Sequence, residues 1–177
     1  MSNTVTLIGY ISSELSYDHN IHGINYYKTT LTVCRESGTE DNIPILLPER
    51  LKDKCIDGFV GVKGRLRSYK LNGKLLLYVL ADNIEVAEPE YYNDVYIDGY
   101  ITKPPSYRLT PNGREISDVI LAVNRDYGKC DYIPCIVWGR QAKDVSHLII
   151  GTNIRLAGRI QSREYNKNGE TKTAYEL

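Results

Sequence analysis

Net charge is the first thing this 177-residue chain lacks: its 22 Lys and Arg are cancelled by 22 Asp and Glu. Global electrostatics therefore announce no polyanionic partner, and any such binding must rest on local patterning. Thiol and imidazole chemistry are also sparse. Cys34, Cys55, Cys130 and Cys135 form no Cys-x-x-Cys pair and only three His accompany them, so the usual zinc spacings are missing and free thiols in a reducing compartment are expected. His19 and His22 have no carboxylate or metal-ligand spacing around them and read as surface residues. No nucleophile–base pair and no phosphate loop stands out, so an enzyme is not expected, nor is a metal or cofactor. No apolar run approaches the roughly 18 residues of a membrane span. The start, Met1-Ser2-Asn3-Thr4-Val5, passes straight into a strand without a charged leader, and the expected location is cytoplasmic.

Aromatics are lopsided rather than absent: fifteen Tyr stand against one Phe and one Trp. Tyrosine suits surfaces that are both apolar and wet, although β-rich proteins also carry it for structural reasons. What is abundant is internal repetition. Shifting the sequence by 90 residues lays Asn3 on Asn93, Gly9-Tyr10-Ile11 on Gly99-Tyr100-Ile101, Gly23 on Gly113, Arg35 on Arg125 and Ile43-Pro44 on Ile133-Pro134. Further on the shift becomes 94, with Gly64-Arg65-Leu66 on Gly158-Arg159-Ile160. That is one unit written twice, with an insertion in a connection, where surface loops tolerate it.

Period-two alternation places five strands in each copy, near 4–12, 25–34, 42–47, 58–69 and 74–86, and near 94–101, 114–124, 131–138, 153–165 and 170–177. Between the third and fourth strands of copy two, Ala142, Val145 and Leu148 recur at helical spacing, predicting a helix over 140–149. Copy one has Pro48 through Ile56 there, a shorter helix. The units are expected at 1–88 and 93–177, joined by a connection too short to be a free tether.

The stretch Val119 to Arg140 carries the chemistry. Ile133, Cys135 and Val137 share one strand face, whereas Tyr132, Ile136 and Trp138 share the other with Pro134. An outward Trp and Tyr, with Arg125, Lys129 and Arg140 close by, would stack bases and neutralise phosphates. The alternatives are that Trp138 caps a core or plugs a subunit interface. Along the following strand Arg155, Arg159, Arg163 and Tyr165 alternate with Ile154, Leu156 and Ile160, and Lys167 and Lys172 flank a hairpin turn at Asn168-Gly169. Alternating Arg on a strand also suits an ordinary solvated face.

Leu121-Ala122-Val123-Asn124-Arg125, Tyr127-Gly128-Lys129, Asp131-Tyr132-Ile133-Pro134-Cys135, Trp138-Gly139-Arg140 and Gly158 through Tyr165 together resemble the bacterial and phage single-stranded DNA-binding proteins. Arg108 through Gly113 resembles that family's first hairpin. The resemblance runs in order through about half of the chain. It implies an all-β protein of two tandem oligonucleotide/oligosaccharide-binding (OB-fold) five-stranded Greek-key barrels, each with a short helix between its third and fourth strands. It also implies stacking aromatics at Tyr127, Tyr132, Trp138 and Tyr165. The expected function is sequence-independent coating of single-stranded DNA in replication, recombination and repair, at the nucleoid.

Copy one keeps Lys63, Arg65, Arg67 and Tyr69 along its fourth strand, and we include Arg65, Arg67 and Tyr69 in the expected nucleic-acid-binding set. Ser37, Asn42 and Pro48 stand where copy two has Tyr127, Tyr132 and Trp138, and Leu71 lies close to the match for Tyr165, so three platforms are gone. The family mostly presents four barrels, which implies a homodimer here, its first strands Asn3–Ser12 and Asn93–Thr102 pairing edge to edge. Relatives usually continue into an acidic, aromatic-tipped tail that recruits other enzymes; with Tyr175-Glu176-Leu177 in the last strand, tail-mediated recruitment is not expected. Two other readings are an accessory OB-fold protein for oligomerisation or protein interaction, and an RNA-binding barrel.

Overall fold

The computed structural model describes residues 3–55, 58–167 and 169–177. The first half supplies β1 (Asn3–Ile11), β2 (Ser16–Ile21), β3 (Ile24–Cys34), β4 (Glu40–Pro48), β5 (Phe59–Leu71) and β6 (Lys74–Val86). From the second half come β7 (Tyr92–Ile101), β8 (Ser106–Leu109), β9 (Glu115–Asn124), β10 (Cys130–Trp138), β11 (Asn153–Gly158), β12 (Gln161–Lys167) and β13 (Glu170–Glu176), with α1 (Arg140–Ser146) after β10. The expected strand-dominated fold is what forms. Alternation decides which face is buried: Val5, Leu7 and Ile11 of β1 and Ile133, Cys135 and Val137 of β10 point inward, and all are nearly inaccessible.

In the first half the ladders run β1–β3, β3–β4, β4–β6, β6–β5 and β5–β1, a closed circuit around Leu7, Leu31, Ile45, Val62, Leu66 and Val79. Gly9 allows the tight β1–β3 crossing, because a Cβ there would run into the Thr32 carbonyl. Gly99 meets the Ala122 carbonyl in the same way where β7 crosses β9.

The second half departs from its expected strands at two points: β8, which pairs with β9, is an additional strand, and the expected fourth strand is divided. Residues 153–165 do not make one strand: β11 ladders with β7, β12 ladders with β13, and among the described residues no strand pairs across Arg159-Ile160. Ile160 instead turns inward and is buried, its N–H donating to Asn93 Oδ1 at 3.0 Å and its carbonyl accepting from Asn93 Nδ2 at 2.9 Å. The β12–β13 arm is tied to β10 through Ile136 N–H to the Leu177 carbonyl, 2.7 Å, and Leu177 N–H to the Pro134 carbonyl, 3.0 Å. The helix expected over 140–149 stops at Ser146, and copy one has only a 3-10 turn, Glu49–Lys54.

The two halves are sewn together along β1 and β7, which pair antiparallel with Asn3 opposite Ile97, Val5 opposite Val95 and Leu7 opposite Asn93. The 90-residue shift maps this register onto itself, so Val5/Val95 lies on a local two-fold. The first strands, expected to be free for pairing with another chain, are therefore consumed within this one.

Equivalent clamps flank that two-fold. Asp131, fully buried, accepts from Arg125 Nε at 2.7 Å, from Arg125 Nη2, from Arg67 Nη1 at 3.0 Å and from the Ser68 N–H. Its counterpart Asp41 accepts from Arg35 at 2.7 and 2.6 Å and from the Ser162 N–H at 2.7 Å. In each clamp an Arg–Asp pair from one half reaches a backbone N–H of the other, a charge-assisted link across the seam.

Candidate nucleic-acid interface

The outer face of β10 holds Tyr132 and Trp138, 44% and 47% exposed. Since Ile133, Cys135 and Val137 already fill the core from this strand, Trp138 is not the core plug. Gly139, at φ 66°, breaks the chain directly from β10 into α1, which holds Trp138 at the strand's end. There Trp138 lies opposite Ile116 and borders an open cleft of about 510 Å³ with Arg114, Gln141, Arg159 and Leu177. Arg114 was absent from the sequence-derived set; its position two residues before the strand partner of Trp138 is the signal that would have found it.

The cations divide sharply. Arg114, Lys129, Arg140 and Arg159 have no carboxylate partner among the described residues and are exposed. By contrast, Arg125 and Arg67 are held in the Asp131 clamp, 25% and 11% exposed, and Arg65 makes a forked pair with Asp82 at 3.1 and 2.7 Å. Arg163 lies 3.8 Å from Glu176. Arg155 points to the β7 side, 3.8 Å from Asp98, away from the Trp138 cleft. The structure thus gathers Trp138, Arg140 and Arg159 around one end of β10 and commits Arg125 and Arg67 to the seam.

Tyr165 stands on the β12–β13 arm opposite Lys172, half-buried. The side chains of Tyr127 and Lys167, and residue Asn168, lie outside the described residues. In copy one Ser37 and Asn42 are exposed and Pro48 is buried. Tyr69, 47% exposed, stands three residues before the Asn72-Gly73 turn as Tyr165 stands before Asn168-Gly169, so Tyr69 rather than Leu71 is its counterpart on the arm.

Two carboxyls near this face are displaced in opposite directions. Burial alone would push Asp131 up, but Arg125, the Ser68 N–H and Arg67 outweigh it and hold the carboxyl below the usual carboxylate range. Burial pushes Glu176, on the cleft wall, above that range despite nearby Arg163.

The model of the Single-strand binding protein family matches residues 92–177. A single-stranded DNA-binding protein of Halalkalibacterium halodurans is 39% identical over 83 residues, covering 43% of this chain and 49% of the relative. Single-stranded DNA-binding protein 1 of Staphylococcus aureus is 40% identical over 85 residues, covering 44% and 51%. This chain spans about half the length of the curated relatives it matches. The crystal structure of wild-type single-stranded DNA binding protein from Thermus aquaticus superposes with a TM-score of 0.76 and 25% identity, covering 92% of this chain and 86% of that one.

Proposed function

Because residues 92–177 match the model of the Single-strand binding protein family, we propose that this chain binds single-stranded DNA without sequence preference and shields it during replication, recombination and repair. The observation that carries the reading is Trp138 and Tyr132 exposed on one strand, with Arg140 just beyond it and Arg114 and Arg159 on the cleft, none of the three having a carboxylate partner among the described residues. Every base has a π-face and every nucleotide a phosphate, so stacking platforms edged by free cations bind any sequence. In this reading the chain is two OB-fold units, 1–88 and 93–177, the second carrying the main face, with Tyr127, Tyr165, Lys129, Arg155, Arg163, Lys167 and Lys172 as further contacts. Arg125 acts indirectly, by fixing Asp131 and hence the backbone of Tyr132.

The chain also forms a homodimer in this reading. With β1 and β7 paired to each other, the contact falls on the outer face of their sheet, where Tyr10, Tyr91, Tyr92 and Tyr96 are each about 45% exposed. That same face favours the second reading, an accessory oligomerisation or protein-interaction role. A titration with matched single-stranded DNA, duplex DNA and RNA oligomers separates the two. Tight binding to single strands over duplex supports the first, and no binding to any of them leaves only the second.

A further inference from the structure

Ser68 sits on β5 of the first half, only 6% exposed, and its N–H, carbonyl and hydroxyl all face the second half. The N–H donates to Asp131 Oδ1, the carbonyl accepts from Arg125 Nη2 at 2.7 Å, and Oγ accepts from the Tyr132 N–H at 2.8 Å. The first two contacts belong to the clamp that closes the seam. The third is of another kind, because it ends on the backbone of an exposed aromatic. Along one edge β10 ladders with β9, Tyr132 standing opposite Ala122. Along the other, among the described residues, the β12–β13 arm reaches β10 only at Pro134 and Ile136, through Leu177. At Asp131 and Tyr132 that second edge is held from the other half of the chain, and the hydroxyl of Ser68 is what holds the Tyr132 N–H.

We propose that Ser68 is a positioning residue for Tyr132: from across the seam it fixes the backbone from which the ring projects, so that the first half sets the single-strand affinity of the second without touching the nucleic acid. The proposal rests on the DNA-binding reading above. A strand residue unheld on one edge samples several backbone orientations, and binding must then order it. Held beforehand, it presents its ring with less ordering left to do. Buried as it is, Ser68 itself reaches neither base nor phosphate.

The near-symmetry of the chain separates the device from its use. Around Asp41 the Ser162 N–H donates to the carboxylate at 2.7 Å, and the Asn42 N–H donates to Ser162 Oγ at 3.1 Å. The geometry repeats, but Asn42 carries no ring. Only the Ser68 end of the seam can therefore govern a stacking platform.

The test uses the 177-residue chain and a double-mutant cycle, which isolates a pairwise coupling from a general loss of stability. Ser68→Ala removes the hydroxyl alone and keeps the backbone N–H and carbonyl that join the clamp. Binding of dye-labelled oligo(dT) is followed by anisotropy, below the melting temperature of every variant. Ser68→Ala should bind about three- to ten-fold more weakly, the range of one hydrogen bond, with an unaltered salt slope because no cation is lost. The same change should have no further effect on a Tyr132→Ala background and its full effect on a Trp138→Ala background. Without DNA, amide exchange at the Tyr132 N–H should be faster in Ser68→Ala and unchanged along β9. Should Ser68→Ala melt too early, Ser68→Cys, a larger and weaker acceptor in the same place, carries the same cycle. A Ser68 variant that binds like the parent, or that loses as much on the Tyr132→Ala background as on the Trp138→Ala one, overturns the proposal and leaves the DNA-binding reading intact. A parent that binds no single strand sinks that reading and this role with it.

Discussion

Replacing Asp131 with Ala should open the seam between the halves. Its carboxylate is wholly shielded from solvent and receives Arg125, Arg67 and the Ser68 N–H at once. Removing one member of a buried ion pair costs about 3–5 kcal/mol, because the partner charge is left unpaired. Here Arg67 and Arg125 remain 11% and 25% exposed, so water reaches the orphaned cations and the lower end, about 3 kcal/mol, is expected. For a chain of this size 1 kcal/mol moves Tm by about 2–4 °C, giving a drop of about 6–12 °C in a thermal melt. Asp41→Ala, which frees one guanidinium, Arg35, and the Ser162 N–H rather than two guanidinium groups and a backbone N–H, should cost less, about 2 kcal/mol. The sign of the pH dependence follows from the depressed carboxyl: Asp131 stabilises fully above its unfolded pKa of about 3.9, and that stabilisation disappears as pH falls through the lower folded value. Parent and variant should therefore converge in acid. A variant within about 0.5 kcal/mol of the parent at neutral pH would refute the clamp as a structural link.

Three further outcomes follow from particular contacts. Gly9→Ala should destabilise by about 1–3 kcal/mol in denaturant titration, because its new methyl meets the Thr32 carbonyl backbone, which cannot swing aside. Binding of oligo(dT) should weaken with salt on a log–log slope set by Arg114, Lys129, Arg140 and Arg159, which have no carboxylate partner among the described residues, and Arg159→Ala should lower that slope by roughly 0.7. Pro48→Trp should lower Tm rather than supply a stacking platform, since Pro48 is buried where β4 enters its 3-10 turn.

The repeat, most of the strands and the orientation of Trp138 were legible because alternation and the 90-residue register are local, additive signals; the short β2 and β8 and the break at Arg159-Ile160 were not. Ile133, Cys135 and Val137 could only be buried together, which put Tyr132 and Trp138 outside. What sequence did not disclose was partner choice. Arg125 and Arg155 look alike as outward cations, yet one is taken by Asp131 and the other stands against Asp98, and no period reveals which carboxylate a guanidinium meets across a seam. The edges of β1 and β7 read as free because pairing within one chain and between two chains leaves the same pattern.

Trp138 is the sole tryptophan and tests the central claim directly. Oligo(dT) should quench its emission, a duplex of equal length should do so more weakly, and Trp138→Ala should bind about ten- to hundred-fold less tightly, corresponding to roughly 1–3 kcal/mol, with its melting temperature nearly unchanged. Emission indifferent to DNA, together with a Trp138→Ala variant that loses self-association before any DNA affinity, would contradict the account and make Trp138 an interface residue.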